Sequence, residues 1–99
     1  MSETMYFPNL APSPEDQQQC ALIMSNVVGL SPSSSIVKAA INKLTDGTYH
    51  TIIAVTGIAR QFQSEAKGHT LVASLKQAHR SMLMILEEWK RGRFKDEKK

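Results

Sequence analysis

The stretch GHTLVASLKQAHRSMLMILEEWK, residues 68–90, decides how this chain folds. Leu71, Leu75, Ala78, Met82, Ile85 and Trp89 recur at spacings of four, three, four, three and four, one continuous seam on an α-helix. A seam of this kind is a core face and must lie against other apolar side chains. Leu83, Met84 and Leu86 fall beside it, and they are expected to be exposed in a monomer if one sheet face is all that covers the helix.

The cover comes from the residues just before. Two extended runs, 49–55 and 58–66, are separated by Thr56 and Gly57, which predicts a tight hairpin with positive φ at Gly57. That turn would pair Val55 with Ile58 and Ile53 with Arg60. One face then carries Tyr49, Thr51, Ile53, Val55, Ile58, Arg60 and Phe62, and the other His50, Ile52, Ala54, Ala59, Gln61 and Gln63. The first is the more apolar and is expected against the long helix. A hairpin alone is marginal in water, so this contact is required. Both its edges are open unless residues 20–28 or a second subunit cover them.

Working towards the N-terminus, Ser13 reads as a helix cap, Pro14 suits the first helical position, and Glu15 and Asp16 sit at the positive end of the dipole. The helix would carry Cys20, Ile23, Met24 and Val27 and stop at Gly29, although Val27 and Val28 leave a strand over 20–28 open. After a turn at 30–35, Ile36, Val37, Ala40, Ile41 and Leu44 predict a second helix ending at Asp46 and Gly47. Residues 1–13, with Pro8 and Pro12, read as an extended arm, mobile unless Tyr6 and Phe7 dock. The expected fold class is α+β: N-terminal helices, then a central antiparallel β-hairpin packed on a long C-terminal amphipathic helix. A single domain would span 14–92, followed by a basic tail at 93–99.

Ninety-nine residues with 41% apolar content suffice for one small core. A single cysteine, Cys20, rules out an internal disulfide, and neither a secretory signal nor a membrane-length apolar run is visible. A reduced, cytoplasmic setting is expected. The net charge of +3 is unevenly spread. Residues 1–33 contain Glu3, Glu15 and Asp16 and no lysine or arginine, whereas all twelve bases, against six acids, follow from Lys38 onward. Six of the twelve lie in the last ten positions, a bias that suggests a polyanionic partner.

No catalytic constellation is present. His50, His69 and His79 lack a second histidine or cysteine at ligand spacing, and His69 is placed in the first turn of the long helix. Glu87 and Glu88 are splayed about 100° apart on a helix and cannot act as an acid/base pair. Glu87 is instead set for an ion pair with Arg91. No enzyme activity, cofactor, metal, membrane or small-molecule substrate is expected. What remains is a binding surface: Arg60, Lys67, Lys76, Arg80, Lys90, Arg91 and Arg93 as phosphate contacts along the long helix. No aromatic platform accompanies them, so a structured RNA fits better than a stacked single strand.

The run Val55, Thr56, Gly57, Ile58, Ala59, Arg60, continued by residues 64–75, resembles the ribosome hibernation-promoting factor family. The resemblance covers residues 55–90 and rests mostly on apolar patterning. It implies a β-α-β-β-β-α fold that binds 16S ribosomal RNA near the decoding region and silences translation. Read from the residues alone, however, there is no room for the family's extra strand between Leu44 and Tyr49, and its first strand would fall on 20–28. Double-stranded RNA-binding domains share the hairpin-then-helix layout, but Thr70, Leu71 and Val72 stand where their lysines would be. The expectation is a ribosome-associated or RNA-binding regulator of translation. The rival is a protein-interaction module, a homodimer joined through open strand edges or the long helix.

Overall fold

Ser13 caps the first helix as its type requires: its side chain accepts a hydrogen bond from the Asp16 backbone N–H at 3.2 Å, and Pro14 opens the helical turn. The computed structural model describes residues 2–32, 34–58 and 60–97. Along them run β1 (Ser2–Tyr6), α1 (Pro14–Leu30), β2 (Ile36–Lys43), β3 (Tyr49–Thr56), β4 (Gln61–Gly68) and α2 (Leu71–Glu97). The strands form one sheet in the order β1-β2-β3-β4, with β1 parallel to β2 and the other pairs antiparallel. Both helices contribute buried side chains to a single core with the sheet, giving two layers of α+β type.

The expected second helix is a correction. Residues 36–43 are a strand, so there is one N-terminal helix, and residues 20–28 belong to it. Helical spacing fits Ile36, Val37, Ala40 and Ile41, but the burial alternates instead: Val37, Ala39 and Ile41 point inward, Ile36 and Lys38 outward. β-Branched residues at 36, 37 and 41 favour the pleated form. Asp46 and Gly47, read as a helix stop, close the β2–β3 hairpin. Gly47 adopts φ 88°, and its N–H donates to the Leu44 carbonyl at 3.0 Å. The Asp46 carboxylate accepts from the backbone and hydroxyl of Thr48 at 2.9 and 2.6 Å.

The β3–β4 hairpin exists with a longer loop than expected. Val55 pairs with Phe62 and Ile53 with Ser64, leaving residues 57–60 as the connection. Its closure is a hydrogen bond from the Gly57 N–H to the Arg60 carbonyl at 2.7 Å, and the positive φ expected at Gly57 occurs at Gly47. Relative to the expected pairing the register moves by four residues. An even shift keeps every β4 side chain on its face, so Thr51, Ile53 and Val55 still face α2 with Phe62 and Ser64 opposite. Ile58, assigned to that face, is 92% exposed in the loop, Arg60 is exposed there too, and Ala59 lies outside the described residues. The β3 edge that seemed open is taken by β2.

The arm at 1–13 supplies β1, with Met5, Phe7 and Leu10 against the core and Tyr6 48% exposed. Just past β1, the Asn9 side chain donates to the Lys43 carbonyl at 2.8 Å and accepts from the Lys43 N–H at 2.9 Å. It thereby satisfies backbone groups at the end of β2 that β1 is too short to reach.

On α2, Leu71, Leu75, Ala78 and Met82 are buried, and Trp89 meets Phe62 edge-on with ring centroids 6.0 Å apart. Leu86, expected outside, is buried, because α1 packs beside α2 and the helix is covered by more than the sheet; Met84 stays 62% exposed. Small side chains bring α2 close to β4. The Ser64 hydroxyl donates to the Ala78 carbonyl at 2.8 Å, and the Ser74 hydroxyl donates to the Leu71 carbonyl at 2.9 Å. Its single proton so used, Ser74 accepts from the Thr51 hydroxyl at 2.7 Å. A Cβ on Gly68 would lie 2.6 Å from the Ser74 nitrogen, whereas one on Gly29 meets nothing within 4 Å.

Gly68→Ala is therefore expected to destabilise the protein by roughly 1–3 kcal/mol, through forced separation of β4 and α2. Gly29→Ala, inside α1, should be neutral or stabilising by up to about 1 kcal/mol. Urea unfolding followed by circular dichroism measures both.

Candidate nucleic-acid interface

α2 runs antiparallel to β4, since Gly68 lies against Ser74 and Phe62 against Trp89. The turns after Trp89 consequently project beyond the sheet, and the molecule is elongated, 50 × 24 × 19 Å. Lys76 and Arg80 are exposed, one turn apart on the side of α2 away from the sheet. Lys90, half-buried, and Arg91, exposed, follow on the same helix; Lys76 to Arg91 spans about 22 Å at 1.5 Å per residue. Leu83 and Glu87 interrupt the row, and the Arg91 guanidinium donates to the Glu87 carboxylate at 2.9 Å. Both partners are well exposed, so this ion pair is easily exchanged for another anion. The Arg93 side chain lies outside the described residues.

The remaining two cations stand elsewhere. Arg60 occupies the β3–β4 loop, at the end of the sheet from which α2 emerges. Lys67 is near the other end of β4, opposite His50 in the register, on the face turned away from the helices. Lys38, read as a helix residue, is exposed on that same outer face of β2, in line with Thr4 and Ala54. The period-two alternation around it was the signal that places it there. The six candidates whose side chains are described thus divide into four along α2, one in the β3–β4 loop and one near the far end of β4. On the outer sheet face His50 Nε2 also lies 3.2 Å from a Glu65 carboxylate oxygen.

His69 sits just before α2 rather than in its first turn, and Thr70 caps that helix by accepting from the Ala73 N–H at 3.0 Å. His79 bridges the helices, with Nε2 2.8 Å from the Asn26 side-chain oxygen; an amide oxygen only accepts, so Nε2 carries the proton. Burial holds the His79 pKa below its usual value. The Cys20 thiol is buried and pushed up to about 11, first by burial and then by the nearby Asp16 charge. Among the described residues no group of three or more His, Cys, Asp or Glu side chains could hold a metal ion. No helix among them is long and apolar enough to cross a membrane.

Solved structures share this architecture. The crystal structure of the N-terminal domain of Thermus thermophilus Protein Y superposes with a TM-score of 0.72 at 10% identity, covering 87% of this chain and 94% of that one. A ribosomal subunit interface protein from Coxiella burnetii gives 0.74 at 11% identity, over 92% of this chain and 99% of the other. The resemblance read from residues 55–90 thereby extends, as a likeness of fold, over most of the chain, and β2 is the strand for which residues 44–49 had no room. No protein-family model and no curated protein sequence matches it.

Titration of His79 sets an acid limb of stability. Its folded pKa lies below the unfolded value near 6.5, so the unfolded chain binds the proton first as pH falls. Stability is expected to be full above about pH 6.5 and to decline as pH drops from there towards the folded pKa. Urea melts across this range should show that slope, and His79→Gln should flatten it.

Proposed function

We propose that this protein is a small non-enzymatic regulator that associates with the ribosome in the cytoplasm and contacts structured RNA through the cations of α2. The observation that carries the reading is the fold likeness, nearly end to end, to a protein described as a ribosomal subunit interface protein. Two features of the chain support it independently. Its positive charge is confined to residue 38 onward, and Lys76, Arg80, Lys90 and Arg91 sit along a rigid helix, where phosphates along an RNA backbone can be met without reordering the protein. Arg60 and Arg93 would extend the contact around the projecting end of α2, while Lys67, on the opposite face of the sheet, would need a second RNA segment.

A helical row of this kind reads shape and phosphate spacing rather than base sequence. Binding to small ribosomal subunits or to a ribosomal RNA fragment should weaken steeply as salt rises, because each phosphate contact releases condensed counterions. Lys76→Ala with Arg80→Ala should lower the slope of log affinity against log salt by about 2 and leave folding intact. Fluorescence anisotropy with labelled RNA, from low to physiological salt, measures it; no binding at low salt, or an unaltered slope, defeats the reading.

The second reading, a homodimeric interaction module, is favoured by the exposed Met84 beside Leu83 on α2 and by the outer edges of β1 and β4, which no described strand pairs. Light scattering over a dilution series would find a dimer without any RNA-dependent shift.

A further inference from the structure

β1 is paired with β2 on one side only, and no described strand meets the backbone groups of its other side. Beside that edge α1 runs past, and the two elements enclose a cleft of about 320 Å³. Glu3, Met5 and Phe7 line it from the β1 side; Gln17, Cys20, Ala21 and Met24 line it from α1. Its floor is apolar at neutral pH, because the Cys20 thiol stays protonated.

We propose that this groove binds an extended peptide segment of a partner protein, which adds to β1 as a fifth strand. Alternate side chains of the peptide enter the cleft in one row, apolar ones over Met5, Cys20 and Met24 and a lysine or arginine beside Glu3. The exposed strand edge supplies main-chain hydrogen bonds, and the cleft supplies selection of every second side chain. Charge decides the occupant. Glu3 is the charged residue among those lining the cleft, Asp16 stands close enough to influence Cys20, and Lys38, beside Thr4 in the register, lies on the opposite, outer face of the sheet. Such a groove repels nucleic acid. A second copy docked β1 to β1 would set two acidic grooves side by side, so a basic and apolar partner segment fits where neither of those does.

The test is an amide NMR titration of the full chain with a synthetic extended peptide whose cleft-facing positions are one lysine, set against Glu3, followed by valines, with threonine at the alternate positions, alongside its counterpart with glutamate in place of the lysine. Shifts are expected for residues in 3–7 and 17–24, with slowed amide exchange in β1, for the lysine peptide alone. Glu3→Lys should weaken that binding roughly tenfold, and Ala21→Trp, which fills the cleft, should abolish it, with thermal melts of both variants confirming the fold. Lys76→Ala with Arg80→Ala should leave the peptide affinity unchanged, which separates this surface from the RNA-binding one. Shifts confined to α2 or the outer sheet face would overturn the proposal. So would equal binding of both peptides, or the same groove shifts appearing on protein concentration alone.

Discussion

The close seat of α2 on β4 is the constraint from which the rest of the structure follows. Gly68 and Ser64 on the strand, and Ser74 and Ala78 on the helix, are small enough for backbone and side chain to meet directly. Thr51 reaches across from β3 to Ser74, so three buried hydroxyls in this contact are each satisfied. A larger residue at any of these positions would lift the helix and open the core that Leu75, Met82, Ile53 and Val55 fill. Further along, small residues give way to Phe62 and Trp89, whose edge-on rings hold the helix as it leaves the sheet.

That seat also orients the charges. Because one flank of α2 is on β4 and another against α1, its free side is left to Lys76, Arg80, Glu87 and Arg91, pointing away from the sheet. α1, capped by Ser13 and acidic in its first turn, covers the same sheet face nearer β1 and brings the chain's cation-free part to the opposite edge. The exposed Lys76, Arg80 and Arg91 thus lie on a different side of the molecule from the cleft that Glu3 lines. Asn9, acting through its side chain as one more strand residue, ties the N-terminal segment to β2 and keeps β1 at that edge.

The hairpin-and-helix half was legible because its signals are redundant. The seam of α2 repeats over several turns, and the turn around Gly57, though misjudged in length, slipped by an even number of residues and so kept the faces. The N-terminal half had weaker signals. Residues 36–43 satisfy helical and extended spacing alike over so short a run, and Asp46 with Gly47 serve as a helix stop or a hairpin turn with equal chemistry. Only pairing of β2 with β1 and β3 on its two edges breaks the tie, and β1 lies some thirty residues away in sequence. Lys38 goes with β2 to the outer face of the sheet.

Local covalent preference and periodicity were enough to dictate where α1 begins, which face of α2 is buried, and that the positive charge lies in the later part of the chain. These depend on neighbours within a few residues, and the chain carries that information explicitly. The parallel β1–β2 pair, the burial of Leu86 and the division of the cations between a helix, a loop and the far end of β4 were decided by folding. Each depends on contacts between segments far apart in sequence, and only the assembled sheet determines which side chains share a surface.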